Sequence, residues 1–189
     1  MAALDFASLL GRSDAVIVVP PFDSVNQPML GPHLLQACAR AAGFEVRIAY
    51  ANLALAGAIG EEEYVGISRA PVAGLLGERF FARSAHGLPP LGGTECLEDL
   101  YPGINLAMAA ALEQTAVQWM SDLAGALADL DAKIVGCSTM FAQTTASTAI
   151  LKNLKRLRPD VITIIGGANC EGEMAEGIRQ LCADIDYVF

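Results

Sequence analysis

The chain has 189 residues, of which 53% are hydrophobic and 17% charged, and its formal net charge at pH 7 is −9. This length fits one domain with a sizeable core, and the acidic balance argues against a nucleic-acid partner, because such affinity depends mostly on neutralising phosphates. No apolar run approaches the roughly 20 residues that span a bilayer, so we expect no membrane partner either.

The amino-terminal residues predict a βαβ unit. The continuous β-branched run Asp14–Phe22 is typical of a parallel strand that is buried on both faces. A helix is predicted over Gly31–Gly43, with Pro32 near its start, and a second strand over Phe44–Asn52. The crossover between these two strands should be right-handed.

The pattern changes over residues 53–105, which show helical periodicity punctuated by glycine and proline but no strand. Such a segment inside an alternating chain predicts a helical insertion that acts as a lid or flap. A long helix is predicted over Ile104–Leu130, and its apolar positions recur at three- and four-residue steps that suit packing on a sheet. These positions are Leu112, Ala116, Trp119, Met120, Leu123 and Leu127.

Strands and helices then alternate to the last residue. Three further strands are predicted over Ala132–Met140, Val161–Gly167 and Asp184–Phe189, with helices over Thr144–Pro159 and Glu171–Cys182. On the first helix Ile150, Leu154 and Leu157 are expected to face inward, and on the second Met174, Ile178 and Leu181 are expected to share one side.

Five strands that alternate with helices indicate the α/β class. We predict one domain over residues 1–189, with a Rossmann-like or flavodoxin-like open parallel sheet and the helical insertion between its second and third strands. Because a buried strand is an unusual place for a chain to stop, we expect the sequence to be a fragment of a longer protein. Five scattered cysteines and no secretory signal predict free thiols and a cytoplasmic location.

Candidate binding residues lie in three loops that follow predicted strands, over residues 20–31, 137–145 and 166–173. Ligands of open parallel sheets bind beyond the carboxyl ends of the strands, so these loops should line one crevice. Gly166 and Gly167 would allow close approach to the backbone there. The neutral polar side chains of the three loops suit a large uncharged ligand rich in amides, with helix capping as the structural alternative. They are Ser24, Asn26, Gln27, Ser138, Thr139, Gln143 and Asn169.

Familiar nucleotide and hydrolase sites are not indicated. Prolines follow the first strand in place of G-x-G-x-x-G, and neither G-x-x-x-x-G-K-[ST] nor G-x-S-x-G occurs. Glu171 and Glu173, in the first turn of a predicted helix, would repel a phosphate there. Neither His33 nor His86 is paired by sequence with a serine or cysteine nucleophile.

Four stretches carry a resemblance to a known family: PPFDSVNQPMLGPHLLQACARAAGFEVRIAYANL, LLGERFF, GCSTMFAQTTAS and IIGGANCEGEM. Together they resemble the N-terminal cobalamin-binding domain of radical S-adenosylmethionine proteins that mature ribosomally made peptides. The resemblance covers nearly the whole chain, and GGANCEGEM is its most specific part. It implies a Rossmann-like domain that cradles the corrin ring above the strand ends, with the nucleotide tail beside the sheet. It also implies a parent protein that is a methyltransferase.

The resemblance further implies which residues bind cobalamin. The loop at Pro28–Gly31 would lie near the lower face of the corrin, the residues after the third strand would contact ring or tail, and those after the fourth would make room for the tail. The implied residues are Ser24, Pro28, Leu30, Gly31, Ser138, Thr139, Phe141, Gln143, Gly166, Gly167 and Asn169.

Two family patterns are missing. The D-x-H-x-x-G pattern of classical cobalamin domains is absent, since Asp23 is followed by Ser24 and Val25, so no histidine is predicted to ligate cobalt. The resemblance to the radical enzymes implies that cobalamin binds base-off without such a histidine. The C-x-x-x-C-x-x-C pattern is also absent, so we expect the [4Fe–4S] cluster and S-adenosylmethionine only in a C-terminal part beyond this chain. The precursor peptide would bind the full-length protein, and this chain alone would not be catalytic.

Two other functions stay open at this point. One is a domain that keeps the fold without the cofactor and serves as a docking or substrate-binding module. The other is a freestanding small-molecule enzyme of flavodoxin-like type.

Overall fold

The computed structural model describes residues 11–71, 74–92 and 105–189. Its strands form one sheet in the order β2-β1-β3-β4-β5, and every neighbouring pair is parallel. The predicted α/β class and its five-stranded parallel sheet are therefore confirmed. The strands are β1 (Ala15–Val19), β2 (Val46–Tyr50), β3 (Ile134–Ser138), β4 (Ile162–Gly166) and β5 (Tyr187–Val188).

Helices connect these strands in chain order. The helices from β1 to β3 are α1 (Leu30–Ala41), α2 (Ala51–Ile59), α3 (Glu61–Ser68), α4 (Leu76–His86) and α5 (Leu106–Ala128). The connections from β3 to β5 are α6 (Thr144–Leu157), a short 3₁₀ turn (Ala168–Cys170) and α7 (Glu173–Leu181). No helix in the described ranges is both long enough and apolar enough to cross a membrane.

Helices α2 to α4 are packed into the core. Leu55 and Tyr64 are at most 1% exposed, as are Phe80 and Phe81. The ring of Phe22, just past β1, lies 5.2 Å from that of Tyr64 and 5.5 Å from that of Phe80 (centroid distances). Residues 72–73 and 93–104 of the predicted insertion lie outside the described residues, and its action as a lid or flap stays a prediction.

The two faces of the sheet are covered unequally. The crossover from β1 to β2 runs opposite to those from β3 towards β5, so right-handed connections place α1 on one face and α6 and α7 on the other. On the face under α6, Val18, Val135 and Ile165 are at most 1% exposed. On the α1 side, Ile162 is 38% and Tyr187 is 53% exposed. We call the part of this side formed by β3, β4 and β5 the open face.

The predicted packing stripes are confirmed on the long helix and in part elsewhere. Trp119, Leu123 and Leu127 of α5 are fully buried, and so are Ile150 and Leu154 of α6. The inward prediction was wrong for Leu157, which is 56% exposed at the end of α6, where no neighbouring element covers it. On α7, Ile178 is buried, whereas Met174 (54%) and Leu181 (58%) are exposed near the helix ends.

A hydrogen-bond cluster joins the start of β5 to β4 and α6. Asp186 Oδ2 accepts from Lys155 Nζ at 2.7 Å, from the Thr163 backbone N–H at 2.8 Å and from Thr163 Oγ1 at 3.0 Å. Burial raises the pKa of Asp186, but the hydrogen bonds from Lys155 and Thr163 outweigh it and hold the pKa below its ordinary value of 3.8.

We expect Asp186→Asn to remove part of the acid sensitivity of the fold. In the wild-type chain this carboxylate stabilises the folded state above the unfolded pKa, near 3.8, and that stabilisation is lost as the pH falls through the lower folded pKa. The side chain is 35% exposed, so screening limits the effect to roughly 1 kcal/mol or less. Urea unfolding of both proteins should be measured from above pH 3.8 to below the folded pKa of Asp186. Their difference in stability should shrink in acid. A difference that does not change with pH would contradict the stabilising role of the Asp186 carboxylate.

Candidate binding site at the carboxyl edge of the sheet

Two buried side chains donate hydrogen bonds to the backbone of the loop after β1. Tyr64 Oη donates to the Asp23 carbonyl at 2.8 Å, and Asn52 Nδ2 donates to the Ser24 carbonyl at 3.1 Å. Asn52 and Tyr64 are each 1% exposed. Burial raises the pKa of the Asp23 carboxyl, against the hydrogen bond from the Ser24 backbone. The loop is therefore anchored through its backbone.

The outer surface of the same loop is accessible. The Ser24 side chain is exposed, and its hydroxyl accepts the Asn26 backbone N–H at 3.2 Å. Pro28 and Gly31 are exposed, and Leu30 is 69% exposed. These predicted cofactor-binding residues could contact a ligand without any movement of the loop.

The loop after β3 (residues 139–143) contains two predicted binding residues that bond within the chain. Thr139 is fully buried, and its backbone N–H donates to the Gly166 carbonyl at 2.7 Å. Gln143 is 1% exposed; its Oε1 accepts the Met140 backbone N–H at 2.8 Å, and its Nε2 donates to the Pro20 carbonyl at 3.4 Å. The Thr139 backbone and the Gln143 side chain thus hold the loops in place.

The loop after β4 (residues 167–172) lies against the loop after β3. Gly167 has φ of +128°, and a Cβ added there would overlap the Thr139 carbonyl oxygen and lie 3.0 Å from its nitrogen. Asn169 Nδ2 donates to the Met140 carbonyl and, at 3.0 Å, to Thr144 Oγ1. At Gly166, an added Cβ would be 3.2 Å from the Phe189 carbonyl oxygen. Contacts within the chain therefore explain why Gly167 must be glycine.

The start of α6 depends on α4, which lies far from it in sequence. The Glu78 carboxylate accepts the backbone N–H groups of Thr144 at 3.0 Å and Thr145 at 2.6 Å. Gly77 permits the approach, since a Cβ added there would lie 2.8 Å from Ala142 Cβ. Our sequence reasoning missed Gly77 and Glu78 as parts of the site, because no local pattern shows that a carboxylate caps another helix.

An uncharged strip of the open face runs towards the carboxyl edge. Gly136, Ser138, Ile164 and Gly166 share this side of the sheet through the pairs Gly136↔Ile164 and Ser138↔Gly166, and each is partly exposed. On one side, Met29 Sδ accepts a hydrogen bond from Ser138 Oγ at 3.5 Å. On the other, the rings of Tyr187 and Phe189 stack, with centroids 6.1 Å apart and planes 16° apart. We call this surface, whose side chains are all uncharged, the trough.

The predicted site residues thus fall into three groups. Ser138 and Gly166 lie on the trough. Five others are exposed, and Phe141 among them is 77% exposed. Those exposed residues are Ser24, Pro28, Leu30, Gly31 and Phe141. The remaining four support the loops through contacts within the chain: Thr139, Gln143, Gly167 and Asn169.

Within the described ranges, no cluster of three or more His, Cys, Asp or Glu side chains is arranged to hold a metal ion. His33 Nε2 lies 2.7 Å from Tyr50 Oη, so this histidine already has a partner. A depression of about 360 Å³ lies at the opposite edge beside Arg12, Glu45 and Asp131, but ligands of open α/β sheets bind at the carboxyl edge.

The chain matches no protein-family model, no curated protein and no solved structure.

Proposed function

We propose that this chain is the cobalamin-binding domain of a cobalamin-dependent radical S-adenosylmethionine methyltransferase that acts in the maturation of ribosomally made peptides. The resemblance of the four sequence stretches supports the proposal. The observation that carries it is the trough, an uncharged and partly exposed strip of the sheet that includes Gly136, Ser138 and Gly166 and leads to the carboxyl edge.

The trough residues fit part of a bulky planar cofactor. A Cβ added at Gly136 would approach Ile164 no closer than 3.5 Å, an ordinary contact, so packing within the chain does not require glycine there. Because glycine has no side chain, it instead leaves space for a ligand above this part of β3. The stacked rings of Tyr187 and Phe189 offer an aromatic wall for a flat group such as the benzimidazole of the cobalamin tail.

The exposed predicted residues contact the cofactor in this proposal. Leu30, Gly31 and Phe141 present apolar surface to the corrin, with Ser24 and Pro28 beside them. Bound cobalamin would carry the methyl group that the parent enzyme transfers to an unactivated carbon of the precursor peptide. With its tail bound beside the sheet, away from the cobalt, the cofactor is base-off, and no histidine of this chain is assigned to cobalt. The iron–sulfur cluster and S-adenosylmethionine belong to another part of the parent protein. Free thiols support a cytoplasmic location for that protein.

Hydroxocobalamin provides the test. The purified chain is mixed with hydroxocobalamin, desalted and examined by visible spectroscopy. Retained corrin absorbance with the base-off shape supports the proposal, and a colourless protein contradicts it.

Gly136→Leu should weaken this binding at least tenfold, equivalent to about 1.4 kcal/mol, because its side chain would fill the trough. The matched control is Ile162→Leu, on the same open face but at the amino-terminal end of β4, which should bind as the wild type does. Circular dichroism establishes that both variants are folded. Equal affinities for Gly136→Leu and the control would count against the trough as the tail site.

A cofactor-free docking or substrate-binding module is the second candidate. It is favoured by apolar side chains of and near α1 that no element covers: Leu34 is 55% exposed, and Leu35 and Phe44 are each 59% exposed. A chain that stays colourless after desalting yet binds a precursor peptide would support it. Titration with flavin mononucleotide tests the flavodoxin-like alternative.

A further inference from the structure

The loop after β3 holds an aromatic side chain out into solvent. Phe141 is 77% exposed, more than any other large apolar side chain in the described ranges. A single exposed apolar residue is ordinary on a protein surface. The backbone on both sides of Phe141, however, is fixed by contacts with other parts of the chain. A residue that is exposed by chance does not need such contacts.

The residue before Phe141 is held through both of its peptide groups. The Met140 backbone N–H donates to Gln143 Oε1 at 2.8 Å, and the Met140 carbonyl accepts from Asn169 Nδ2. Gln143 is itself 1% exposed and bonded to the Pro20 carbonyl. The peptide unit that enters Phe141 is thus tied to β1 and to the loop after β4.

The residue after Phe141 is held by packing. Ala142 has φ of +61°, in the left-handed region. Its methyl group lies against Gly77 of α4, where an added Cβ would be only 2.8 Å away. A bulkier residue at position 77 could not fit without moving the loop. The backbone before and after the aromatic ring is therefore immobilised by three different parts of the chain.

Asn169 makes the contacts by which the loop after β4 fixes the loop after β3. Its Nδ2 reaches the Met140 carbonyl, Thr144 Oγ1 at 3.0 Å and Thr139 Oγ1 at 3.4 Å. Since one amide group carries two N–H donors, these contacts within the chain use them fully. Asn169 therefore has no donor left for a ligand.

We propose that Asn169 is a positioning residue: it fixes the loop so that Phe141 presents a preset aromatic contact to the planar part of bound cobalamin. This inference rests on the proposed function, and it gives Asn169 a different role from making room for the tail. A ring that is already fixed in its binding position loses less conformational freedom on binding. The affinity therefore depends on the contacts that Asn169 makes as well as on the ring.

The effect of Asn169 on the mobility of the loop can be measured without cofactor. The sequence contains one tryptophan, Trp119, which is fully buried. In a Trp119→Phe background, Phe141→Trp places a single indole on the loop. Asn169→Asp keeps the side-chain size but turns an oxygen towards the Met140 carbonyl, which removes the hydrogen bond. We expect the indole's fluorescence anisotropy to fall in that variant. Asn153→Asp is the control, because Asn153 Nδ2 donates to the Ala149 carbonyl at 2.8 Å within α6, away from the loop.

Hydroxocobalamin then tests the link to binding in the wild-type background. Phe141→Ala and Asn169→Asp should each weaken binding about tenfold, and the double variant should be no weaker than either one, because both changes remove the same contact. Phe141→Ala changes a solvent-exposed side chain, so its effect does not depend on whether Asn169→Asp folds well. Asn153→Asp should bind as the wild type does.

The outcomes separate this inference from the proposed function. Retained corrin in the wild type with no effect of Phe141→Ala overturns the inference and leaves the proposed function standing. Additive losses in the double variant, or an unchanged anisotropy in Asn169→Asp, likewise overturn the positioning role alone. A wild-type chain that retains no corrin overturns both.

Discussion

Gly167→Ala should lower the free energy of unfolding by about 3–5 kcal/mol. At Gly167 φ is +128°, and an added Cβ would overlap the Thr139 carbonyl oxygen and lie 3.0 Å from the Thr139 nitrogen. Both atoms belong to backbone at the end of β3, and the Thr139 N–H is bonded to the Gly166 carbonyl at 2.7 Å. Neither can move aside without breaking that bond. Urea denaturation monitored by circular dichroism measures the loss.

Gly172→Ala is the matched control for this substitution. Gly172 lies in the same loop with φ of +55°, but an added Cβ there would meet nothing within 4 Å. Its ψ is −127°, so its replacement should cost only the strain of this glycine-favouring backbone conformation, about 1–3 kcal/mol. Equal losses at Gly167 and Gly172 would show that backbone conformation alone, and not contact with Thr139, explains the glycine.

Arg79→Met should destabilise the chain by about 3–5 kcal/mol, because it leaves a buried carboxylate without its counter-charge. Arg79 Nη1 lies 3.5 Å from Glu113 Oε1, and the Glu113 side chain is 1% exposed. Glu113 Oε2 also accepts the Leu91 backbone N–H at 2.9 Å. Arg79 further donates to the carbonyls of Pro89 and Pro90, at 2.8 and 3.1 Å. The same urea assay reports the effect.

Two further variants identify the cause. Arg83→Met alters an arginine on the same helix that donates to Oε1 of the exposed Gln114 at 2.9 Å, and should cost less than about 1 kcal/mol. Adding Glu113→Leu to Arg79→Met should restore much of the lost stability, because the unpaired carboxylate is then gone. If the double variant is no more stable than Arg79→Met, the buried charge is not the source of the loss.

The strands and the long helix were predictable because their patterns are local. The run over Val16–Val19 is β-branched, which favours a buried strand, and the stripe of α5 through Trp119 and Leu123 repeats at the helical period. Both outcomes depend on residues close together in the chain. Leu157 and Met174 show the limit, since their spacing resembles that of core positions while they lie where no neighbouring element covers them.

The candidate site was predictable only in outline. Topology brings the loops after β1, β3 and β4 to one edge, so Ser138 and Gly166 could be expected together. The direction of each side chain could not be expected, because Gln143 and Asn169 have the same hydrogen-bonding groups whether they face a ligand or a neighbouring loop. Gly136 was not singled out, since a glycine in a strand acquires its role from what lies above it.

By itself, the sequence determined the α/β class, most of the buried stripes and the edge where a ligand would bind, because each follows from composition and short-range periodicity. Only the tertiary structure decided which polar residues support the loops, which face of the sheet is left open, and which carboxylate caps α6. Those features depend on contacts such as Glu78 with Thr144, between residues far apart in the chain, and no spacing of residue types encodes the distance between them.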